Sequence, residues 1–419
     1  MPELTLEQKK YPIGIMALFV FWLLVYSMGK HPDVPWGDSL GYAMAIESGF
    51  DLATNANSHF LYLNFHRLLM VVFHIQDPVL LLGLASAGWA LISLYLTFRI
   101  SSVWSGTNAA FISTTLLASS FPFWRHACIP EVYTMELAFW AFLFLLLFYW
   151  TEQHNVLARN GMFLVYALSL LVHIHFILFL PVLFAICFYR KEWPKLALLS
   201  FFIPISLVVF SVYYLKTNTL PQVFFENVQD KMLSFNLTDK LKGPFFTLFL
   251  LFAMLPLGSL FLVFGWLKDR TVFPNGTFSK ILFVSVIPIA GFASLFPEPG
   301  IYVFLLPVFL IVSLLSGRIL SKWARPLPAV TGILVFQLLF FYSGKGLYDA
   351  FAGDDRIASQ EIKGGTGFLF LPWAKGNVAS VLDKMKVIPL DSFPENEQWN
   401  ARQAIEWNRT HPDYNFRKR

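Results

Sequence analysis

Charged residues are scarce in this chain: they make up 14% of its 419 residues, whereas 56% are hydrophobic. A water-soluble domain needs roughly a quarter of its residues charged, so a soluble enzyme is excluded. The two cysteines, Cys128 and Cys187, lie in or beside apolar segments and form neither a disulfide framework nor a metal-ligand pattern. The chain lacks HExxH, a phosphate-binding glycine loop and a DxD motif in its external loops. Metalloprotease, nucleotide-hydrolysing and nucleotide-sugar chemistries therefore lack support.

The hydrophobic residues form long blocks. A helix needs about 20 mostly apolar residues to cross the hydrocarbon core of a membrane, and about eleven blocks approach that length. The sequence therefore predicts an all-α polytopic membrane protein. The predicted spans are Tyr11–Met28, Pro78–Phe98, Asn108–Trp124, Val132–Trp150, Met162–Val172, Phe176–Tyr189, Leu196–Leu215, Phe245–Leu267, Ile281–Phe296, Ile301–Ser316 and Leu327–Tyr342.

Lys and Arg residues predict the orientation, because cytoplasmic loops carry an excess of them. With the N-terminus inside, the inside loops hold 13 Lys and Arg residues and the outside loops 7, with 11 more in the C-terminal tail. We therefore predict a cytoplasmic N-terminus and an external tail, as for a protein of the bacterial inner membrane. The net charge of +5 reflects this topology, and no basic run interleaved with aromatic residues indicates nucleic-acid binding.

Three regions follow from this topology. Residues 1–343 form the predicted transmembrane domain, with its first span as a retained anchor and residues 29–77 as a long first external loop. Residues 344–419 form a polar C-terminal extension, which is predicted to be external and to be either a small appended domain or a loosely ordered tail.

The first external loop contains Asp38 within the stretch "PWGDS". An ionisable group beside a membrane is costly to desolvate, which favours a functional role. Asp38 or Ser39 is equally suited to cap a helix over Leu40–Glu47. The stretch "GDSLG" also matches GxSxG with Ser39 as the nucleophile, but that motif requires a preceding strand. Since no strand is predicted there, we interpret the match as chance.

A polar face follows in the same loop. Asn55, His59, Tyr62 and His66 are spaced by 4, 3 and 4 residues, so they align on one side of a helix, with Arg67 beside them. Apolar residues cover the rest, as in a helix that lies at the membrane interface. This polar face lines a cavity or simply contacts water, and its spacing does not decide between the two.

The second external loop, "FPFWRHACIPEVYTMELAF", carries charges at the start of a helix. Arg125 and His126 are placed to bind a phosphate, although an arginine at a membrane edge can also extend to water. Glu131 suits the first turn of a helix that begins near Pro130. Glu136 lies more than a turn deeper in an apolar helix, and helix capping does not explain it.

His173 and His175 lie between two apolar segments. On a continuous helix they diverge by about 200° and cannot share a metal ion. In a broken segment they are able to face the same way. A structural or hydrogen-bonding role is favoured over zinc binding.

At these residues the sequence resembles the GT-C superfamily of membrane glycosyltransferases, and within it the branch of the protein O-mannosyltransferases and their bacterial relatives. "PWGDS" matches the loop Asp of that branch, and "SHFLYLNFHRLL" matches its His-containing segment. "PEVYTMELAF" matches its Glu-Val-Tyr segment, which opens a later span, and "HIHFILFLP" is similar to a His-bearing helix. The resemblance covers roughly the first 190 residues and the general topology beyond them.

The resemblance implies transfer of a hexosyl or pentosyl group from a polyprenyl-phosphate-linked donor to a protein, lipid or glycan acceptor on the outer face. Asp38 is the implied general base, and Glu131 is a supporting carboxylate. The residues implied to contact the sugar or the lipid phosphate are His59, Tyr62, His66, Arg67, Arg125, His126, His173 and His175. No residue is assigned to a metal and no cofactor is required, but a divalent metal is allowed because members of the superfamily differ.

Two other functions compete with this interpretation. A transporter or lipid-linked glycan flippase is expected to have polar or broken helices near the bilayer midplane and two related halves. Here the polar residues gather at the outer ends of the spans, and no halves repeat. A polysaccharide polymerase or ligase is expected to use Arg and His in a large later loop, but Lys216–Pro244 contains neither. The glycosyltransferase is therefore the favoured function.

Overall fold

The computed structural model of the protein describes residues 12–29, 34–35, 37–50, 59–193, 237–268, 276–295, 299–353, 367–374, 376–387, 389–393 and 395–412. Within these residues every regular element is a helix. The first α-helices are α1 (Pro12–Met28), α2 (Asp38–Ser48), α3 (Phe60–Val72), α4 (Pro78–Ser105), α5 (Thr107–Ser119), α6 (Phe121–Cys128), α7 (Tyr133–Gln153), α8 (Val156–Val172) and α9 (Leu180–Arg190).

The later α-helices are α10 (Leu237–Met254), α11 (Pro256–Lys268), α12 (Thr277–Ser294), α13 (Leu306–Leu320), α14 (Pro326–Phe351), α15 (Gly367–Phe370), α16 (Val378–Met385) and α17 (Glu395–Thr410). Short 3-10 helices cover Ile174–Phe179, Pro299–Leu305 and Leu390–Ser392. The last predicted span continues past Tyr342 as α14, which ends at Phe351.

Local sequence explains where the long helices begin. Asp77 caps α4, because its carboxylate accepts a hydrogen bond from the backbone N–H of Leu80 at 2.9 Å and Pro78 occupies the first helical position. The side chain of Asn155 caps α8 in the same way. An almost unbroken apolar run then extends α4 over 28 residues, enough to cross a membrane.

Five helices are long and apolar enough to cross a membrane: Pro78–Ser105, Tyr133–Gln153, Thr277–Ser294, Ile301–Leu320 and Pro326–Phe351. A bent pair, Lys242–Met254 with Pro256–Gly265, makes six if it is one span. The helical membrane architecture is thus confirmed, but the predicted number of eleven spans is not confirmed. One predicted span, Leu196–Leu215, lies outside the described residues.

Breaks in the helices explain part of this difference. The predicted span Phe245–Leu267 consists of α10 and α11, which are bent by 108°, because the residue before Pro256 is disfavoured in a helical conformation. The predicted span Asn108–Trp124 ends as α5 at Ser119 and resumes as the short helix α6. The helices α1, α8 and α9 have 17, 17 and 11 residues, fewer than the roughly 20 that a span needs.

A close approach between α5 and α13 lies in the core of the bundle. A Cβ atom added to Gly317 would lie 2.0 Å from Oγ of Ser113, so only glycine fits there. Small residues that let helix backbones approach are typical of membrane helix packing. Elsewhere in the core, the buried indole of Trp140 stacks on Phe176 with ring centroids 4.6 Å apart.

Loops that are predicted to be cytoplasmic meet at one end of the bundle. Glu152 accepts a hydrogen bond from the backbone N–H of Phe278 at 2.7 Å, and the Phe278 ring packs on Trp104 with centroids 5.4 Å apart. The guanidinium of Arg318 lies 4.8 Å from the same Trp104 ring. This grouping agrees with the predicted alternation of loops, and the compartment that each end faces stays a prediction.

The described part of the C-terminal extension packs against α2. The backbone N–H of Val378 donates to the carbonyl of Val34 at 3.0 Å, just before α2 begins. At the other end of α2, Glu47 pairs with His411 at 3.0 Å. Trp407 of α17 is fully buried in the same apolar cluster as the inner face of α2. The described part of the extension therefore packs on the first loop, and the external location of both stays a prediction.

Replacement of Trp407 by alanine is expected to loosen this packing. Deleting a buried aromatic side chain costs about 3–5 kcal/mol, so Trp407→Ala should lower the midpoint of thermal unfolding, measured by size-exclusion chromatography after heating. Trp399→Ala is the matched control, because Trp399 lies on the same helix and is 56% exposed. Equal midpoints for the two variants would contradict the packing of α17 on α2.

Candidate functional site

Helix α2 presents Asp38 at its first position. Gly37, at φ 82°, is the residue that caps this helix, and it does so without a side-chain hydrogen bond. Asp38 is exposed, whereas Ser39 is buried. The capping role that the sequence allowed for Asp38 or Ser39 is therefore taken by Gly37, and the Asp38 carboxylate is left accessible. No strand precedes Ser39 in the described residues, so the GxSxG match has no nucleophile elbow.

A second carboxylate, on Glu131, lies behind Asp38 in the loop between α6 and α7. Oγ of Ser39 donates a hydrogen bond to Oε1 of Glu131 at 3.2 Å, and Oγ of Ser86 accepts one from the Glu131 backbone N–H at 3.2 Å. Oε2 of Glu131 is buried and has no hydrogen-bond partner among the described residues. We call Asp38 and Glu131 the acidic pair.

The surroundings of the acidic pair raise the pKa values of its two carboxyl groups to different extents. Burial, and then the nearby charge of Asp38, raise the pKa of Glu131 well above its ordinary value. Partial burial raises the pKa of Asp38 less strongly, and the neighbouring His59 opposes that increase. Two carboxyl groups whose pKa values are driven apart take different roles. A proton taken up by the pair is therefore favoured on Glu131, and Asp38 is the member that ionises first.

His59 borders the acidic pair from the start of α3. Its Nδ1 donates to the backbone carbonyl of Val172 at 3.1 Å, which leaves Nε2 as the acceptor nitrogen of the neutral ring. The ring contacts Tyr42 and His173 with centroids 5.4 and 4.9 Å apart. Tyr42, on α2, was not singled out by the sequence analysis.

Of the other residues of the predicted polar face, Tyr62 packs its buried ring on Tyr42 and His66, and His66 and Arg67 form hydrogen bonds within the protein. His66 donates from Nδ1 to the carbonyl of Tyr62 at 2.7 Å and accepts from Nε1 of Trp89 at 3.3 Å. Arg67 donates to a backbone carbonyl at the end of α2 at 2.9 Å. The structure therefore brings His59 to the acidic pair, whereas His66 links α3 to α4 through Trp89 and Arg67 links α3 to the end of α2. Asn55 lies outside the described residues.

Arg125 and His126 lie on α6, next to the Glu131 loop. The Arg125 side chain is only 3% exposed, and Glu131 attracts its charge. The His126 ring contacts Tyr133 and Tyr302 with centroids 4.8 and 6.1 Å apart. The two tyrosines were not predicted, and Tyr302 is distant in sequence from every motif of the first loops.

A buried cluster of Glu136, His173 and His175 lies deeper in the bundle. His173 is extended, at φ −155° and ψ 133°, and ends α8, so the two histidines converge instead of diverging as on one helix. Nδ1 of His175 lies 2.8 Å from Oε1 of Glu136, and Nε1 of Trp140 donates to the same oxygen. The ligand atoms of the cluster all lie within 4.8 Å of one another, a set that could hold a metal ion.

Two comparisons with known proteins concern the sequence. The family model for the N-terminal domain of the protein O-mannosyl-transferase TMEM260 matches residues 91–196. These residues include the loop that carries Arg125 and Glu131, and the three-residue cluster around Glu136. No curated protein matches the sequence significantly.

Solved structures show the fold. ArnT from Cupriavidus metallidurans, bound to undecaprenyl phosphate, superposes with a TM-score of 0.60 at 14% identity, over 96% of this chain and 80% of ArnT. The archaeal oligosaccharyltransferase AglB from Archaeoglobus fulgidus, in complex with an inhibitory peptide and a dolichol-phosphate, gives 0.52 at 13% identity over 94% of this chain. This chain spans 60% of the length of AglB.

A further crystal structure of an Archaeoglobus fulgidus oligosaccharyltransferase, in complex with Zn and sulfate, gives a TM-score of 0.50 at 12% identity. The chain therefore has the fold of the GT-C membrane glycosyltransferases, and the resemblance to the protein O-mannosyltransferases is confirmed in sequence over residues 91–196, which include the Glu-Val-Tyr segment.

Proposed function

We propose that the protein is a membrane glycosyltransferase that moves a sugar from a polyprenyl-phosphate-linked donor to an acceptor on the outer face of the membrane. The acidic pair carries this proposal, because an accessible carboxylate on Asp38 lies beside a buried Glu131, which in turn lies near the Arg125 cation. The fold supports it, since ArnT was solved with undecaprenyl phosphate and AglB with a dolichol-phosphate.

Asp38 acts as the general base in the proposed reaction. It accepts the proton of an acceptor hydroxyl while that oxygen attacks the anomeric carbon of the donor sugar. The new glycosidic bond forms as the bond between the sugar and the phosphate oxygen breaks, and the electron pair of that bond leaves with the lipid phosphate. Arg125 stabilises the charge that develops on the phosphate. The raised pKa of Glu131 favours its protonated form, in which Oε2 would donate a hydrogen bond to an oxygen of the donor.

The transferred group is a hexosyl or pentosyl unit, and the acceptor is a protein, a lipid or a glycan. We place the protein in the bacterial inner membrane with a cytoplasmic N-terminus, so that the acidic pair faces outward. The experiment is a screen of polyprenyl-phosphate donors with labelled sugars in membranes that contain the overproduced protein. Transfer above that of control membranes from at least one donor supports the proposal, and no transfer from any donor contradicts it.

The pH dependence of transfer tests the roles within the acidic pair. Protonation of Asp38 removes the base, so kcat should fall as the pH falls through the pKa of Asp38, which is raised above its ordinary 3.8. The acid limb of the pH–rate profile is therefore expected above pH 3.8. Glu131→Gln should keep the limb at the same pH, because glutamine resembles a neutral carboxyl group. A limb that moves to lower pH in Glu131→Gln would show that Glu131 is ionised.

The three-residue cluster fits a divalent metal in part. Carboxylate and imidazole ligands suit zinc, and both Oε2 of Glu136 and Nε2 of His175 are buried without a hydrogen-bond partner among the described residues. Nδ1 of His173 already accepts the backbone N–H of His175 at 3.1 Å, so His173 would have to give up that bond in order to ligate through Nδ1. A cation held there would supply positive charge to the inner wall of the site.

Metal analysis of the purified protein tests this part of the proposal. We expect about one zinc or manganese ion per chain by mass spectrometry, as a single site of this ligand set predicts. The double variant Glu136→Gln/His175→Gln should lose the ion, whereas His154→Gln, at the opposite end of α7, should retain it. If the wild-type protein held no stoichiometric metal after growth with added zinc, the metal site would be excluded, and the cluster would be a hydrogen-bonded group only.

A further inference from the structure

Arg125 is a buried cation without an anionic partner in contact. Its side chain is 3% exposed, and none of the ion pairs among the described residues includes it. An arginine stays charged in proteins, and a buried charge is costly unless it is paired. Glu131 lies near enough to act on Arg125 electrostatically, but among the described residues no ion pair joins the two side chains. The position therefore favours the arrival of an anion.

The C-terminal extension covers this cation. Nη1 of Arg125 donates to the backbone carbonyl of Phe368 at 2.6 Å, across 243 residues of sequence. The Phe368 ring lies 3.7 Å from the guanidinium carbon, and the Phe121 ring lies on it at 5.6 Å. A neutral carbonyl and two aromatic faces thus stand where a charged partner is expected.

We propose that Phe368 occupies, in the donor-free protein, the place on Arg125 that the donor phosphate takes, so that the segment of residues 367–374 must leave Arg125 when the donor binds. This inference rests on the proposed function for its ligand. When a phosphate binds, Arg125 loses its hydrogen bond to one neutral carbonyl and gains charge-assisted hydrogen bonds from its planar guanidinium group to the phosphate. The bonds to the phosphate are the stronger interaction. The exchange is therefore favourable for an anion and unfavourable for a neutral ligand.

The contacts that hold the segment are suited to exchange. Phe370 packs on Tyr348 and Trp373 packs on Trp124, with ring centroids 5.2 Å apart in both pairs. Phe368 itself is only half-buried. Among the described residues the segment is thus held by aromatic contacts, by the packing of Leu371 and Trp373 on the apolar core, and by one hydrogen bond to Arg125. Apart from that hydrogen bond, the contacts that must be exchanged are apolar.

Binding measurements on variants test the inference. If a ligand binds only the uncovered state, its apparent affinity is the intrinsic affinity multiplied by the fraction of protein molecules in that state. Phe368→Ala removes the aromatic cover, so the full-length protein in nanodiscs should bind undecaprenyl phosphate about three- to tenfold more tightly than wild type. Val387→Ala is the matched control, because Val387 lies in the same extension but outside the segment and is exposed; it should change the affinity by less than about twofold. Unchanged or weaker binding by Phe368→Ala would overturn the proposal.

Hydrogen exchange on the wild-type protein tests the inference without any substitution. The backbone N–H of Leu371 donates to Gly367 at 2.7 Å, and that of Ala374 donates to Leu371 at 3.0 Å. Undecaprenyl phosphate should accelerate exchange at these amides, whereas slower or unchanged exchange would contradict the proposal. Acceleration by inorganic phosphate but not by the lipid would also contradict it, because the site would then not be that of the donor.

These outcomes are separable from those of the proposed function. Tighter binding by Phe368→Ala in a protein that transfers no sugar would support the inference and overturn the proposed activity. Sugar transfer by the wild-type protein, together with weaker binding by Phe368→Ala, would support the proposed activity and overturn the inference.

Discussion

Asp38→Asn is expected to lower kcat for sugar transfer by about 10²–10⁴-fold, the usual contribution of a general base. The substitution keeps the shape of the side chain and removes the carboxylate that accepts the acceptor proton. The KM for the donor should change little, because Asp38 contacts the acceptor hydroxyl. The measurement is the initial rate of transfer of a labelled sugar at saturating donor, with the amount of folded protein determined by size-exclusion chromatography.

Glu47→Gln is the matched control for Asp38→Asn. Glu47 lies on the same helix, and its carboxylate pairs with His411 in the extension. An exposed substitution of this kind changes stability by no more than about 0.5 kcal/mol, so transfer should stay near the wild-type rate. If Asp38→Asn retained wild-type transfer, the base would be another residue and the role given to the acidic pair would be wrong.

Arg125→Gln is expected to lower kcat/KM by about 10²–10³-fold, the usual cost of losing one donor that stabilises developing charge. The guanidinium is the cation that the structure places beside Glu131, and glutamine cannot compensate the charge of a departing phosphate. Arg125→Lys should recover only part of the rate, because an ammonium lacks the planar fork. The measurement is the dependence of initial rate on donor concentration for each variant.

Arg318→Gln controls for the removal of a partly buried arginine. Arg318 also lies over an aromatic ring, at 4.8 Å from Trp104, but at the opposite end of the bundle. A similar loss in Arg318→Gln would mean that Arg125 acts through stability alone. A change below about threefold in Arg125→Gln would exclude Arg125 from the stabilisation of charge.

Asp38 and Glu131 could each be singled out from sequence because each lies beside a local signal, but their proximity could not. Asp38 stands just before an apolar helix, and Glu131 opens the Glu-Val-Tyr segment. Sequence did not predict that Ser39 joins α2 to Glu131 across 92 residues. It also could not predict that Phe368 covers Arg125, since no periodicity relates positions 243 residues apart. Long-range contacts of this kind depend on how the helices pack.

The number of spans was the least predictable part of the fold. Apolar composition does not distinguish a straight helix from two helices that meet at Pro256, or from the break between α5 and α6. The same limit applies at His173, where the end of α8 turns two histidines towards Glu136. Sequence left both arrangements of the histidines open, and only the backbone conformation distinguishes them.

The most direct test of the account uses the purified protein in vesicles with a polyprenyl-phosphate donor carrying a labelled sugar. Two quantities are measured: the cleavage of the bond between sugar and phosphate, and the movement of intact donor between the leaflets. The account predicts acceptor-dependent cleavage that is lost in Asp38→Asn. Movement of intact donor without cleavage would contradict it, and would identify the protein as a flippase that has the fold of a glycosyltransferase.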